Sequence, residues 1–172
     1  MRLHRTDPSA ALEAAFRRIE RERMTGLPLL NPALRVQAVG FERWQGHWLG
    51  ALVTPWFINL VLLPGVAEGW QRSAVGERSF HRFGAGDFAF LGNEEPELGE
   101  FQSCSLCSPV SDFPDHETAL TTARMALRML HVEQPAAALV GSADATACGH
   151  AAPAKTAAAP SRRVILFGGR AN

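Results

Sequence analysis

Two cysteines have a spacing that could support metal or redox chemistry, because Cys104 and Cys107 form a C-x-x-C sequence. A structural zinc or iron–sulfur site needs four ligands, usually two such pairs, and the one remaining cysteine is Cys148, next to His150. A redox-active pair opens a helix in a βαβ unit, whereas Ser108-Pro109 follow here. The pair is a weak redox candidate, and the alternative is two small residues near the end of a strand.

Other titratable side chains match no pattern of a catalytic or metal site. The six histidines include no H-x-x-x-H or H-E-x-x-H sequence. There is no G-x-S-x-G sequence and no phosphate-binding loop, and Gly84-Ala85-Gly86 lacks the third glycine of a dinucleotide-binding fingerprint. Asp87 and Asp112 have no catalytic partner at a defined spacing. We therefore expect no enzymatic activity, no bound metal and no cofactor.

Four carboxylates lie within seven residues, around Pro96 and Gly99: Glu94, Glu95, Glu97 and Glu100. The segment 93–99 reads as a turn, so these side chains predict a locally negative loop in a chain without net charge. Such a loop is either an ordinary solvated turn or a docking site for a basic segment of a partner.

Three of the four tryptophans fall between residues 44 and 56. Trp56 and Phe57 follow Pro55 where the chain bends between two predicted strands, and Trp48 begins the first of these strands. A large aromatic side chain at a bend either plugs the edge of the core or is an exposed anchor of an interface. Trp48, Trp56 and Phe57 are therefore candidates for apolar contact with a partner.

Composition limits the class of protein. The 172 residues contain 17 Lys+Arg and 17 Asp+Glu, which argues against a nucleic-acid or anionic-membrane surface. No stretch reaches the roughly 18 apolar residues of a membrane helix, and the N-terminus has no apolar region typical of a secretory signal. Three cysteines do not make a disulfide framework. We expect a cytoplasmic protein.

The elements that position these residues follow from hydrophobic periodicity. Asp7-Pro8 predict the start of a first helix, and Pro114-Asp115 that of a second. Between them lie short apolar stretches with short connections, which favour antiparallel pairing. We predict an α+β fold in two layers: an antiparallel sheet of about five to seven strands packed with an N-terminal and a C-terminal helix.

The C-terminal part of the chain has a different composition. Residues 135–160 contain twelve Ala and three Pro, which predicts a flexible linker after a single domain at 1–134. Within 161–172, Val164-Ile165-Leu166-Phe167 are four consecutive large hydrophobic residues. This apolar segment is expected to dock back on the domain as a strand or hook, or else to bind a partner.

Several short motifs lie along the chain: Gly46-x-Trp48-x-Gly50, Val53-Thr54-Pro55-Trp56, Leu62-x-Pro64-Gly65, Cys104-Ser105-Leu106-x-Ser108-Pro109 and Leu166-Phe167-Gly168 after an arginine pair. Together these motifs resemble the HybE/HupJ family of [NiFe]-hydrogenase assembly chaperones. The N-terminal helix leading into Asn31-Pro32 is also similar to the family pattern.

The resemblance implies a non-enzymatic maturation chaperone without a cofactor. It would bind the small, iron–sulfur subunit precursor of a [NiFe] uptake hydrogenase, and hold it until cofactor assembly is complete, before twin-arginine export. Its partners would be that precursor, through its twin-arginine signal peptide or its mature part, and other hydrogenase maturation proteins. Trp48, Trp56 and Phe57 would supply apolar contact, and Glu94, Glu95 and Glu97 would orient the basic signal. The alternative is a small redox or metal-handling protein that uses Cys104 and Cys107.

Overall fold

A computed structural model describes residues 1–132 and contains two α-helices and six strands within that range. The first helix, α1, is followed directly by one turn of π-helix at Glu20–Met24. The elements are α1 (Ser9–Ile19), β1 (Gln37–Trp44), β2 (His47–Val53), β3 (Ile58–Leu63), β4 (Arg78–Phe83), β5 (Gly86–Glu95), β6 (Gly99–Cys107) and α2 (His116–Leu130).

The six strands form one antiparallel sheet in the order β1-β2-β3-β6-β5-β4. Each half is a three-stranded meander with short turns, and the halves join where β3 pairs with β6. The α+β prediction is confirmed, with six strands and a helix at each end of the described chain. In the described part of the chain, no helix is long and apolar enough to cross a membrane.

The two helices cover opposite faces of the sheet, so the expectation of two layers is wrong and the domain has three. Strands β2 and β3 are buried along nearly their whole length, not only at alternate positions. Leu60 and Leu62 pack with the buried residues of α2, whereas Val61 and Leu63 pack with those of α1. Because successive side chains of a strand point to opposite faces, such a continuous apolar run requires cover on both.

Helix α1 forms where the sequence predicts it. The Asp7 carboxylate accepts a hydrogen bond from the Ser9 backbone N–H at 2.8 Å, which satisfies one of the free donors of the first turn. The apolar stripe of α1 is buried against the sheet and consists of Leu12, Ala15, Phe16 and Ile19.

Helix α2 begins at a side-chain cap. Asp115 Oδ1 accepts from the Thr118 backbone N–H at 2.7 Å. At the other end, the Leu130 carbonyl accepts a hydrogen bond from Ala85 N–H, in the turn between β4 and β5, at 3.2 Å. The helix is therefore fixed to the sheet at its C-terminal end as well as by its buried face.

At Gly50 and Gly65 the absence of a side chain lets other parts of the protein pack directly against the backbone. A Cβ at Gly50 would overlap the ring of Phe41, and one at Gly65 would overlap the Arg43 guanidinium. In the turn between β1 and β2, Gln45 and Gly46 have φ of 49° and 84°, the positive values that a two-residue hairpin turn requires. These motif residues serve packing and chain reversal.

The predicted linker at 135–160 and the apolar segment at 161–172 lie outside the described residues, as does Cys148.

Candidate partner-binding surface

Trp56 is buried at the edge of the core, at the bend between β2 and β3. The Thr54 hydroxyl accepts from the backbone N–H groups of Trp56 and Phe57 at 3.3 and 2.9 Å, which holds the bend. The Trp56 side chain is only 5% exposed and packs with the buried residues of α1. Phe57 is half-buried, with its ring 5.9 Å from that of Phe16. Of the two aromatics, Phe57 alone offers accessible apolar surface.

Trp48 is held between the N-terminal segment and a cation. Its indole Nε1 donates to the His4 carbonyl at 2.7 Å, and the Arg43 guanidinium lies 4.2 Å from the ring centroid. A cation over the ring face is attracted by the aromatic quadrupole. Trp48 is half-buried, so its ring combines a structural contact with some accessible area.

The Glu95 carboxylate is buried, and its charge is neutralised by two arginines of the same domain. It lies 2.8 Å from Arg23 Nη1 and 3.3 Å from Arg18 Nη2, and its side chain is 4% exposed. Arg18 also pairs with the more exposed Glu97 at 3.1 Å. Buried charges are normally paired in this way, because an unpaired one is costly to desolvate. Glu95 therefore fastens the π-helical turn and α1 to the hairpin.

The carboxylates do not form one open loop, because β5 continues to Glu95 and the turn itself is only 96–98. Glu94 pairs in register with Glu100 across the hairpin, and both line a half-open cleft of about 660 Å³. Glu100 accepts from the Trp70 indole at 2.8 Å and pairs with Arg72 at 3.1 Å. Glu94 is exposed and has no ion pair among the described residues.

Helix α1 connects the aromatic bend and the acidic hairpin on one side of the domain. Phe16 contacts Phe57 and Phe101, while Arg18, two residues later, pairs with Glu95 and Glu97. Trp48, Trp56, Phe57, Glu95 and Glu97 therefore share the α1 side of the domain. Glu94 alternates with Glu95 along β5, so it faces the α2 side of the sheet, as does Glu100 opposite it. Phe57, Glu94 and Glu97 retain accessible surface, whereas Trp56 and Glu95 are buried.

The C-x-x-C pair lies on the other side of the sheet. A register shift between β3 and β6 leaves Cys104 opposite Leu60 and Cys107 opposite Ile58, and both cysteines pack on the α2 side. Burial raises the pKa of both thiols, which disfavours the thiolate that redox and metal chemistry require. No cluster of three potential metal-ligating side chains occurs within residues 1–132.

The sequence argument missed two exposed apolar patches. Phe80 on β4 and Leu91 on β5 lie on the sheet face that α1 covers elsewhere, and α1 does not reach them. Met125, Met129 and Val132 are exposed at the C-terminal end of α2 and beyond it. Met125 and Met129 are four residues apart on the face of α2 opposite Leu120 and Leu130, and this spacing was the signal that could have revealed the second patch.

Comparison with known proteins gives one consistent family. Residues 7–168 match the model of the [NiFe]-hydrogenase assembly chaperone HybE. Protein HoxT of Cupriavidus necator is 39% identical over 136 residues, covering 73% of this chain and 76% of that protein. A protein of Rhodobacter capsulatus named probable rubredoxin HupJ is 38% identical over 115 residues, 67% of this chain, which spans only 41% of that relative.

A solved structure agrees with this assignment. The solution structure of HybE from Escherichia coli matches with a TM-score of 0.63 and 28% sequence identity, covering 100% of this chain and 96% of that one. The resemblance carried by the short motifs is thereby confirmed. The chain belongs to the HybE family of [NiFe]-hydrogenase assembly chaperones.

Proposed function

We propose that this protein is a cytoplasmic, non-enzymatic chaperone that binds the small-subunit precursor of a [NiFe] uptake hydrogenase. It holds the precursor until the iron–sulfur clusters and the large subunit are in place, and releases it for twin-arginine export. The observation that carries the proposal is the family match over residues 7–168. The Escherichia coli relatives are named hydrogenase-2 operon proteins, which also connects this family with a hydrogenase.

The proposed contact surface lies on the α1 side of the domain and extends around the end of the β5–β6 hairpin to Glu94. Phe57, Glu94 and Glu97 meet the partner directly, since their side chains are at least partly accessible. Trp56 and Glu95 fix the local backbone from beneath, and the half-buried Trp48 ring adds accessible apolar area. An apolar side chain beside carboxylates suits a partner segment that combines basic and apolar residues.

The test is binding of the purified protein to the small-subunit precursor, with and without its export signal, by calorimetry. We expect binding that weakens when the signal is removed and when salt is raised, because exposed charge pairs are screened by salt. Equal binding of both precursor forms would assign the contact to the mature subunit. Failure to bind either form would refute the proposed function.

A pair of variants tests the contact surface separately. E94Q/E97Q should weaken precursor binding and flatten its salt dependence, since it removes the two exposed carboxylates. E100Q is the control, because the Glu100 carboxylate is already engaged by Trp70 and Arg72. If both variants bind like the parent protein, the hairpin carboxylates do not contact the precursor.

A further inference from the structure

The outer edge of β4 has no partner strand among residues 1–132. β4 is the last strand of the sheet, and its pairing with β5 runs from Arg78 to Phe83 without a bulge. About half of its backbone N–H and C=O groups therefore point away from β5. The backbone hydrogen bonds of the described residues include none from this outer side to another element. Such an edge is a template to which an extended segment can add.

The opposite edge of the same sheet is protected. In β1 the Ala38 backbone N–H donates to Glu13 Oε1 at 2.9 Å, and a bulge lies between Val39 and Glu42. Bulges and covering groups are among the usual ways in which a sheet edge is closed to further pairing. The open edge is therefore particular to β4.

The inner face of β4 holds the strand in place. The Ser79 hydroxyl donates to Gln102 Oε1 at 2.8 Å, and His81 Nε2 lies 2.6 Å from the same oxygen. The buried Phe83 ring stacks on that of Trp44, with the ring centroids 4.6 Å apart. A strand that is already ordered loses little conformational freedom when a partner binds to its edge.

The outer face of β4 has the order Arg-x-Phe-x-Arg. Phe80 is 64% exposed, and Arg78 and Arg82 lie two residues away from it on the same face. Leu91, 43% exposed on β5 opposite Arg78, extends the apolar area. Arg78 has no ion pair among the described residues. Arg82 pairs with Asp87 at 3.2 Å, but both side chains are exposed, so this pair is weak.

We propose that the outer edge of β4 binds an extended segment of a partner protein, in which carboxylates flank an apolar residue two positions away on each side. The segment adds to the sheet as a further strand, with its backbone paired to β4. Its apolar residue packs beside Phe80, and its carboxylates lie beside Arg78 and Arg82. Because side chains alternate along a strand, the order acidic-x-apolar-x-acidic places all three on one face. This inference does not depend on the precursor proposed above.

Other occupants lack the complementary charge. β4 contains no acidic residue, so no register of two β4 strands gives its arginines a carboxylate. In the register that pairs Phe80 with Phe80 of a second copy, Arg78 would lie opposite Arg82, and like charges directly opposite each other are destabilising. Residues 161–172 also contain three arginines and no acidic residue. The arginines therefore reject these segments and favour an acidic one.

The experiment measures the anisotropy of a labelled peptide with the central sequence Glu-Thr-Val-Thr-Glu on titration with the full chain. The matched control peptide is Lys-Thr-Val-Thr-Lys, which keeps the length, the apolar residue and the strand propensity. We expect the acidic peptide to bind at least about tenfold more tightly, since two attractions become two repulsions in the control. The difference should shrink as salt is raised. Equal binding of the two peptides, or no binding of the acidic one, would overturn the proposal.

Three variants locate the site. R78E should weaken binding of the acidic peptide and strengthen binding of the lysine peptide, because it reverses the charge of one contact. F80T keeps a strand-forming residue and should weaken binding of both peptides several-fold. M129Q is the control, since Met129 is 61% exposed on α2, and it should change either affinity less than twofold. If R78E and F80T bind the acidic peptide as tightly as the parent protein, the site is not at β4.

Hydrogen exchange tests strand addition itself. With the acidic peptide bound, the outward amides of β4 should exchange several-fold more slowly, and those of β1 should be unchanged. Binding without protection of β4 would overturn strand addition. A dimer of the parent protein that F80T dissociates would assign the edge to a second copy. Faster exchange of β4 in I165Q/F167Q would assign it to residues 161–172, and either result would overturn the proposal.

Discussion

Glu95 and its neighbour Glu94 allow a sharp test of which hairpin carboxylates are structural. The Glu95 side chain is 4% exposed and contacts Arg23 at 2.8 Å and Arg18 at 3.3 Å, whereas Glu94 is exposed. The two residues are adjacent in β5 and carry the same functional group. E95Q should therefore destabilise the domain, and E94Q should leave its stability unchanged.

The loss of stability expected for E95Q depends on how exposed its partners Arg18 and Arg23 are. Breaking a fully buried ion pair costs about 3–5 kcal/mol, because the remaining charge stays buried and unpaired. Here Arg18 and Arg23 are 24% and 48% exposed, so water can solvate them once Glu95 is neutral. Exposed pairs contribute only about 0.2–1 kcal/mol each. A loss of about 2 kcal/mol lies between these limits, and corresponds to a fall in Tm of roughly 6–10 °C for a domain of this size.

The assay is thermal and urea unfolding of E95Q, E94Q and the parent protein at pH 7.5, followed by tryptophan fluorescence. The loss in E95Q should persist at 0.5 M salt, because the Glu95 carboxylate is shielded from solvent. A double-mutant cycle with R23Q should give a favourable coupling energy. If E95Q and E94Q unfold together with the parent, while E95Q alone loses precursor binding, Glu95 is a contact residue and the structural assignment is refuted.

Two further predictions concern stability. Burial lowers the pKa of His4, His47 and His116, so the unfolded chain takes up protons first as pH falls below about 6.5, and stability should fall through that range. Melting curves at pH 7.5 and 5.0 check this, and equal stability at both pH values would contradict it. G50A should cost about 1–3 kcal/mol, because a Cβ there overlaps the Phe41 ring. Adding F41L should recover part of the loss in urea unfolding, and no recovery would show that the ring is not the cause.

The sequence alone was sufficient to predict the helices and strands and their order along the chain. The signals Asp7-Pro8 and Pro114-Asp115 predicted the starts of α1 and α2 to within two residues. The short connections between the apolar stretches predicted antiparallel pairing of the strands, since parallel strands need long crossover connections. These signals are local, so they can be read without knowing what lies across the sheet.

The layer arrangement had a signal in the sequence, because β2 and β3 are nearly continuous apolar runs, but the prediction of two layers assumed that only one face of the sheet was covered. A long apolar run is compatible with a strand buried on both sides, and no short-range signal says which helix covers which face. The contacts of Val61 with the α1 side and Leu60 with the α2 side decide it.

The residue types of the candidate surface were determined by the sequence, and their accessibility was decided by tertiary structure. Nothing in the spacing of Glu94 and Glu95 distinguishes an exposed carboxylate from a buried one. Arg18 and Arg23, more than seventy positions away in the chain, make that distinction by neutralising Glu95. Trp56 is buried for the same kind of reason, since α1 closes over it, and burial depends on what packs from elsewhere in the chain.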